Sequence, residues 1–147
     1  MLAAPPRRLR LHNNLAKAEA EVDLLEEAAD GYRRWQTPLG AIWTPPKNTP
    51  VFAIGEQLAE SYTEGEMTLG PGDVVLDCGA NVGDFVLVCL RVGVEKVIAI
   101  DPSPVNVEAM RQACGDCAQK GLARREFHND DGFRELPPQL FRHALTA

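Results

Sequence analysis

Two acids and two glycines carry the clearest chemical signal in this chain: Asp77, Gly79, Gly83 and Asp101, within the stretch VVLDCGANVGDFVLVCLRVGVEKVIAIDPSPVN at residues 74–106. Ahead of Gly79 runs Val74-Val75-Leu76, apolar, largely β-branched and too short for a helix, which reads as a buried parallel strand. A glycine at the strand's end permits a sharp reversal and lets a ligand approach the backbone, because no Cβ stands in the way. From Gly83 the apolar spacing becomes helical, with Phe85, Val88, Cys89 and Val92 on one face, so a helix N-terminus lies over the turn. Backbone N–H groups and the positive end of the helix dipole collect there. Val97-Ile98-Ala99-Ile100 is a second buried strand. Asp101 ends it about twenty residues beyond Gly79, the separation at which a carboxylate accepts hydrogen bonds from a ribose. The implied ligand carries a ribose.

The turn itself narrows the ligand. A nicotinamide dinucleotide site asks for G-x-G-x-x-G, whose second glycine lets a pyrophosphate lie against the backbone. This chain has Asp77-Cys78-Gly79-Ala80-Asn81-Val82-Gly83 instead. That run resembles the D-x-G-x-x-x-G motif of S-adenosylmethionine-dependent methyltransferases, and joined to Ile100-Asp101-Pro102-Ser103-Pro104-Val105-Asn106 it is similar to the FkbM family of that superfamily. Members of that family read D-x-G-A-N-x-G at the first strand and E-P-x-x-x-N after the second; Asp101 is a shorter acid of the same charge in the glutamate position. Thr37-Pro38-Leu39-Gly40 and Gly70-Pro71-Gly72-Asp73 also resemble that family, and the likeness runs from about Trp35 to Gln112. The resemblance implies S-adenosylmethionine as cofactor, held by Asp77, Gly79, Ala80, Asn81, Gly83, Asp101 and Ser103, and O-methylation of a small molecule or a sugar hydroxyl. It names no general base, since His128 and His143 fall outside the matched region. Two other classes stay open: a nucleotide- or NAD-binding α/β domain, and a non-catalytic module that uses the fold for binding or assembly.

Each piece also has a plainer reading. The glycines can serve the turn alone, and Asp101, just ahead of Pro104, can cap a helix. Of the four cysteines, Cys78 and Cys89 read as small buried hydrophobes. Cys114 and Cys117 form a C-x-x-C pair that is either a redox dithiol or half of a zinc site, or simply two reduced thiols at a helix end. No second pair follows, and no metal site is expected.

The 147 residues have room for one modest domain, and 45% hydrophobic with 24% charged residues is ordinary for a globular protein. A formal charge of −6 argues against a nucleic-acid partner, since only Arg7, Arg8 and Arg10 cluster. No apolar run approaches a membrane span, and none follows the arginines as in a signal peptide, so the default location is cytoplasmic.

The elements that must position the turn read as an α/β fold: a Rossmann-like, doubly wound parallel sheet cut short after two or three strands, with an N-terminal helix and hairpin. Residues 1–34 are expected to be a tail and amphipathic helix, and residues 35–147 a partial cofactor-binding domain. Leu15, Ala18, Val22, Leu25, Ala29 and Tyr32 follow helical spacing, which predicts a helix over residues 14–34. A hairpin over residues 35–44 turns at Pro38-Leu39-Gly40, and a short helix over residues 52–62 follows a proline-rich loop. Ser103-Pro104 opens a helix to about Cys114 with Val107 and Met110 inward. Residues 127–133 read as the remnant of a third strand. A sheet this short leaves one side of the 74–76 strand open, which makes a homodimer through that edge an expectation, and suggests an incomplete chain.

Overall fold

The computed structural model describes residues 7–59, 68–118 and 124–128. The chain divides into two compact units, Met1–Thr68 and Leu69–Ala147.

In the first unit, helix α1 spans Arg7–Glu21, and three antiparallel strands follow in the order β1 (Asp23–Glu27), β2 (Arg33–Thr37), β3 (Gly40–Thr44). The helix expected over residues 14–34 is therefore corrected: it ends at Glu21, and residues 23–27 are a strand. The physical reason lies in the Asp30-Gly31 turn. Gly31 has a φ of 84°, the Asp30 carboxylate accepts the Tyr32 N–H at 3.2 Å, and Ala28 and Tyr32 close the reversal with a 2.8 Å backbone bond. The two strands so joined carry opposite charges in register, Glu27 against Arg33 at 2.7 Å and Glu26 against Arg34 at 3.6 Å. Such exposed pairs add little stability, but they favour one register over its neighbours. A bulge at Leu25 leaves Leu24 and Leu25 half exposed.

The β2–β3 hairpin lies where its turn residues put it, with Thr37 opposite Gly40 across Pro38-Leu39. The Thr37 hydroxyl donates to the Gly40 carbonyl at 2.7 Å and accepts the Leu39 N–H at 3.1 Å, so the loop is closed by one buried side chain. Trp35 donates its indole N–H to the buried Thr44 hydroxyl at 2.9 Å, tying the two strands on one face. Helix α2 spans Val51–Leu58, and residues 60–62 of the expected helix lie outside the described residues. Helices α1 and α2 meet at Gly55, where an added Cβ would stand 2.8 Å from Leu15 Cδ2 and 3.3 Å from Leu15 Cα.

The second unit is a β-α-β-α-β run: β4 (Val74–Cys78), α3 (Asp84–Val92), β5 (Lys96–Ile100), α4 (Pro104–Ala118) and β6 (Arg124–His128), all three strands parallel in the order β4-β5-β6. This is the α/β, Rossmann-like architecture, one βαβαβ half of it. The Gly70-Pro71-Gly72-Asp73 turn delivers the chain into β4: Gly72 has a φ of 91°, and the Gly70 N–H donates to the Asp73 carboxylate at 2.7 Å. One face of β5, Val97 and Ala99, packs with Val86, Cys89 and Leu90 of α3 and Val107 and Met110 of α4. The other face carries Ile98 and Ile100 with Leu76 beside them.

Three expectations for this unit are corrected. The β4 strand is not fully buried: Val74 is 41% exposed and the strand is the sheet's edge among the described residues. The buried face of α3 is Val86, Leu87, Cys89 and Leu90, with Phe85, Val88 and Val92 only partly covered. Its sequence is apolar nearly all round, so periodicity alone could not set the phase. The third strand begins at Arg124 and ends at His128, earlier than residues 127–133, of which 129–133 lie outside the described residues. Among the described residues no helix is long and apolar enough to cross a membrane.

The Gly55 contact yields a test. Gly55→Ala places a methyl against α1 backbone, so the helices must part slightly. Overpacking of this kind costs about 1–3 kcal/mol, and urea unfolding should show a loss in that range, whereas Gly93→Ala, where a Cβ meets nothing within 4 Å, should lose only the roughly 1–2 kcal/mol of its left-handed backbone, with no packing cost.

Candidate functional site

The site is built at the carboxyl end of β4, where parallel sheets place their ligands. After Cys78 the chain leaves the sheet through two residues whose N–H groups converge on one acceptor: Gly79 and Ala80 each donate to the Ile100 carbonyl at 2.9 Å. The end of β5 thus holds the start of the turn. Gly79 has a φ of 83° and Gly83 of 88°, and between them Asn81 adopts a left-handed φ of 51° without being glycine. Gly83 caps α3, its N–H donating to Ala80 at 2.8 Å, and its missing Cβ makes room for Met110 Cγ, which would lie 3.0 Å away.

Asp101 is the second tie. It is 6% exposed, and both its oxygens are engaged with the chain: Oδ2 accepts the Asn81 N–H at 2.9 Å, and Oδ1 accepts the Ser103 N–H at 2.8 Å and Asn106 Nδ2 at 3.2 Å. Asn106 Nδ2 also lies 3.4 Å from Asn81 Oδ1. The carboxylate is a brace for the turn, and a ribose contact expected of it competes with three N–H donors. Ser103 serves the same corner with its carbonyl, which accepts the N–H groups of Asn106 and Val107 at 3.1 Å and starts α4.

Asp77, on β4, is the unbalanced member. Its Oδ2 is buried and has no hydrogen-bond partner among the described residues. Burial, followed by the like charges of Asp84 and Asp101, pushes its carboxyl up to about 7. Asp84 is the residue that sequence reasoning missed: it opens α3 and is 6% exposed. The signal for it was an acid in the first helical turn, where the dipole favours negative charge. Cys89 is buried, and burial with the nearby Asp77 charge holds its thiol up at about 12, so it is an inert core group. Cys78 is exposed rather than a buried hydrophobe, and its thiol is raised by partial desolvation and then by Asp77. Cys114 and Cys117 fall on α4.

All seven residues expected from the sequence, Asp77, Gly79, Ala80, Asn81, Gly83, Asp101 and Ser103, therefore meet at one corner formed by the ends of β4 and β5 and the starts of α3 and α4. A Cβ built on Gly79 would meet nothing within 4 Å. A bare backbone at Gly79 and a buried, unpartnered carboxylate oxygen on the strand that leads into it fit a ligand with a positive group to offer.

No protein-family model matches the chain, and no curated protein matches it. Among solved structures it is similar to a geranyl diphosphate methyltransferase determined with GPP and sinefungin, at TM-score 0.43 and 16% identity over 88% of this chain and 50% of that one. It is also similar to the geranyl diphosphate C-methyltransferase of Streptomyces coelicolor A3(2), determined with Mg2+, geranyl-S-thiolodiphosphate and S-adenosyl-L-homocysteine, at TM-score 0.41 and 14% identity over 86% and 50%. The chain spans about half the length of these proteins.

The state of Asp77 makes stability depend on pH with a defined sign. Its folded-state value near 7 exceeds the 3.8 of an unperturbed carboxyl, so the folded chain holds a proton that the unfolded chain has released. Its contribution is fullest below pH 4 and is lost as pH rises through 7. Asp77→Asn should remove that loss. At about 1.4 kcal/mol per unit, the stability gained by the variant in urea unfolding should be larger at pH 8 than at pH 5.5 by about 2 kcal/mol; an equal gain at both would refute the assignment.

Proposed function

We propose that this chain is the cofactor-binding half of an S-adenosylmethionine-dependent methyltransferase of the FkbM type, acting on a hydroxyl of a small molecule or sugar. The observation that carries the reading is the corner itself: a D-x-G-A-N-x-G turn at the carboxyl end of β4, bare at Gly79, entered from a strand whose Asp77 has a buried oxygen without a hydrogen-bond partner among the described residues. S-adenosylmethionine supplies an electrophilic methyl group on a positively charged sulfur. In this reading the chain supplies a carboxyl at Asp77 for the positive amino-acid end, the Gly79 to Gly83 turn as its cover, and Asp101 with Ser103 at the ribose side. Holding donor and acceptor in line is much of the work in such a transfer, and a hydroxyl acceptor needs its proton removed. No described residue is assigned as that base.

The absence of G-x-G-x-x-G disfavours a dinucleotide, because Ala80-Asn81 stands where the second glycine would admit a pyrophosphate. The position of β4 at the sheet's edge among the described residues adds a second element to the reading: its outer N–H and C=O row is a template for another copy of the chain. The cytoplasm is the compartment that the reading assumes.

Calorimetric titration with S-adenosylhomocysteine tests the cofactor. Wild type should bind, Gly79→Val should abolish binding through the side chain it adds and the strain it puts on a left-handed turn, and Asp101→Ala should weaken it by about 1.5–3 kcal/mol, the range for a hydrogen bond to a charged group. Preference for NAD would move the chain to the dinucleotide class. In a labelled-methyl assay with hydroxylated acceptors the 147-residue chain should give background only; turnover lost on Gly83→Val would show a complete pocket. For the edge, light scattering after size exclusion should find a dimer that Val74→Lys dissociates. Val74 is the better probe because Val75 packs against the core. A wild-type monomer at high concentration contradicts pairing through β4.

A further inference from the structure

We infer that Asn106 is a positioning residue of the cofactor corner: through Asp101 it holds the turn at Asn81 in the form that a ligand meets. The inference rests on the reading of that corner as a cofactor site, and it concerns how the site is kept in shape.

Asn81 is the one described turn residue of the corner that is left-handed without being glycine. Such a backbone persists only where its surroundings over-determine it. Two things determine it here. Its N–H donates to Asp101 Oδ2, and its side-chain oxygen lies 3.4 Å from Asn106 Nδ2. The same Asn106 Nδ2 donates to Asp101 Oδ1 at 3.2 Å. One amide group therefore touches both the strained residue and the acid that restrains it. The bonds of Oδ1 to Ser103 and Asn106 oppose a rotation of the carboxylate that would take Oδ2 away from Asn81. Asn106 suits the task because it is itself fixed, with its backbone N–H bonded to Ser103 in the first turn of α4. Its neighbour Val107 is fully buried. The side chain is thus delivered from a rigid element, which is what precise placement of a site requires.

Two variants separate this role from packing. Asn106→Leu keeps the branching and the number of side-chain heavy atoms, in a somewhat larger side chain, and removes the donors. Asn106→Asp replaces them with a carboxyl that repels Asp101 when ionised and can donate to it when protonated, a like-charge pair favouring retention of one proton. The readouts are affinity for S-adenosylhomocysteine at pH 7.5 and pH 5.5, each relative to wild type, and the amide resonance of Asn81 in a proton–nitrogen correlation spectrum. Asn106→Leu should lose about tenfold in affinity at both pH values, the loss of one charge-assisted hydrogen bond, and should move the Asn81 resonance. Asn106→Asp should lose as much at pH 7.5 and recover part of it at pH 5.5, where Asp77, which shares the corner with Asp84 and Asp101, has also taken up its proton in both variant and wild type. A loss independent of pH in Asn106→Asp, or wild-type affinity with an unmoved Asn81 resonance in Asn106→Leu, overturns the inference. Should wild type bind no S-adenosylhomocysteine, the cofactor reading fails, and the Asn81 resonance in Asn106→Leu decides the clamp by itself.

Discussion

The second unit depends on one junction, the attachment of the β4 turn to the end of β5. Two acceptors make it: the Ile100 carbonyl, shared by Gly79 and Ala80, and the Asp101 carboxylate, shared by Asn81, Ser103 and Asn106. Backbone N–H groups that leave a sheet need new partners, and a buried one left without any, such as that of Ala80 would be, costs the free energy of a hydrogen bond. Here the neighbouring strand supplies them, so the path of the glycine turn and the start of α4 are fixed by the same two consecutive residues. Everything the corner offers a ligand follows from that. Gly79 can be bare because its N–H is already satisfied, and Asp77 is crowded by negative charge because the junction brings Asp101 close, with Asp84 opening the helix above.

The junction also explains why this region is legible in the amino-acid sequence. Val97-Ile98-Ala99-Ile100 is a β-branched run of strand length, the glycines fall where left-handed backbone is needed, and Pro104 stands at the first helical position. Each local preference agrees with the fold. The phase of α3 is not legible, since Phe85, Val86, Leu87 and Val88 give no polar side to count from. Nor is the condition of Asp77: an acid in a strand carries no sign of how much water or how many like charges it will meet. Burial and the placement of Asp84 and Asp101 are tertiary facts.

The N-terminal unit shows the opposite conflict. Leu15, Ala18, Val22, Leu25, Ala29 and Tyr32 have helical spacing, yet the helix stops at Glu21. Local turn chemistry at Asp30-Gly31 outweighs a periodicity that spans it, because a left-handed glycine with a carboxylate folded over the next N–H reverses the chain at little cost. The overlooked cue is symmetric: Glu26-Glu27 before that turn and Arg33-Arg34 after it are the complementary ends of a hairpin.

The contrast between the two sheets has a kinetic consequence. The β1-β2-β3 meander closes through short turns, so its pairings link residues near in sequence. Every pairing of the parallel sheet waits for a helix to be spanned: Val74 meets Lys96 only after all of α3, and Lys96 meets Arg124 only after all of α4. Closing those longer loops costs chain entropy before contacts repay it, and hairpins form in about 1–10 μs whereas non-local pairing is slower. During synthesis the meander is made first and has its partners at hand. The corner at the ends of β4 and β5, which needs the two strands side by side, is therefore the later-forming half of the described chain, and β4 carries its apolar residues unpaired until β5 arrives.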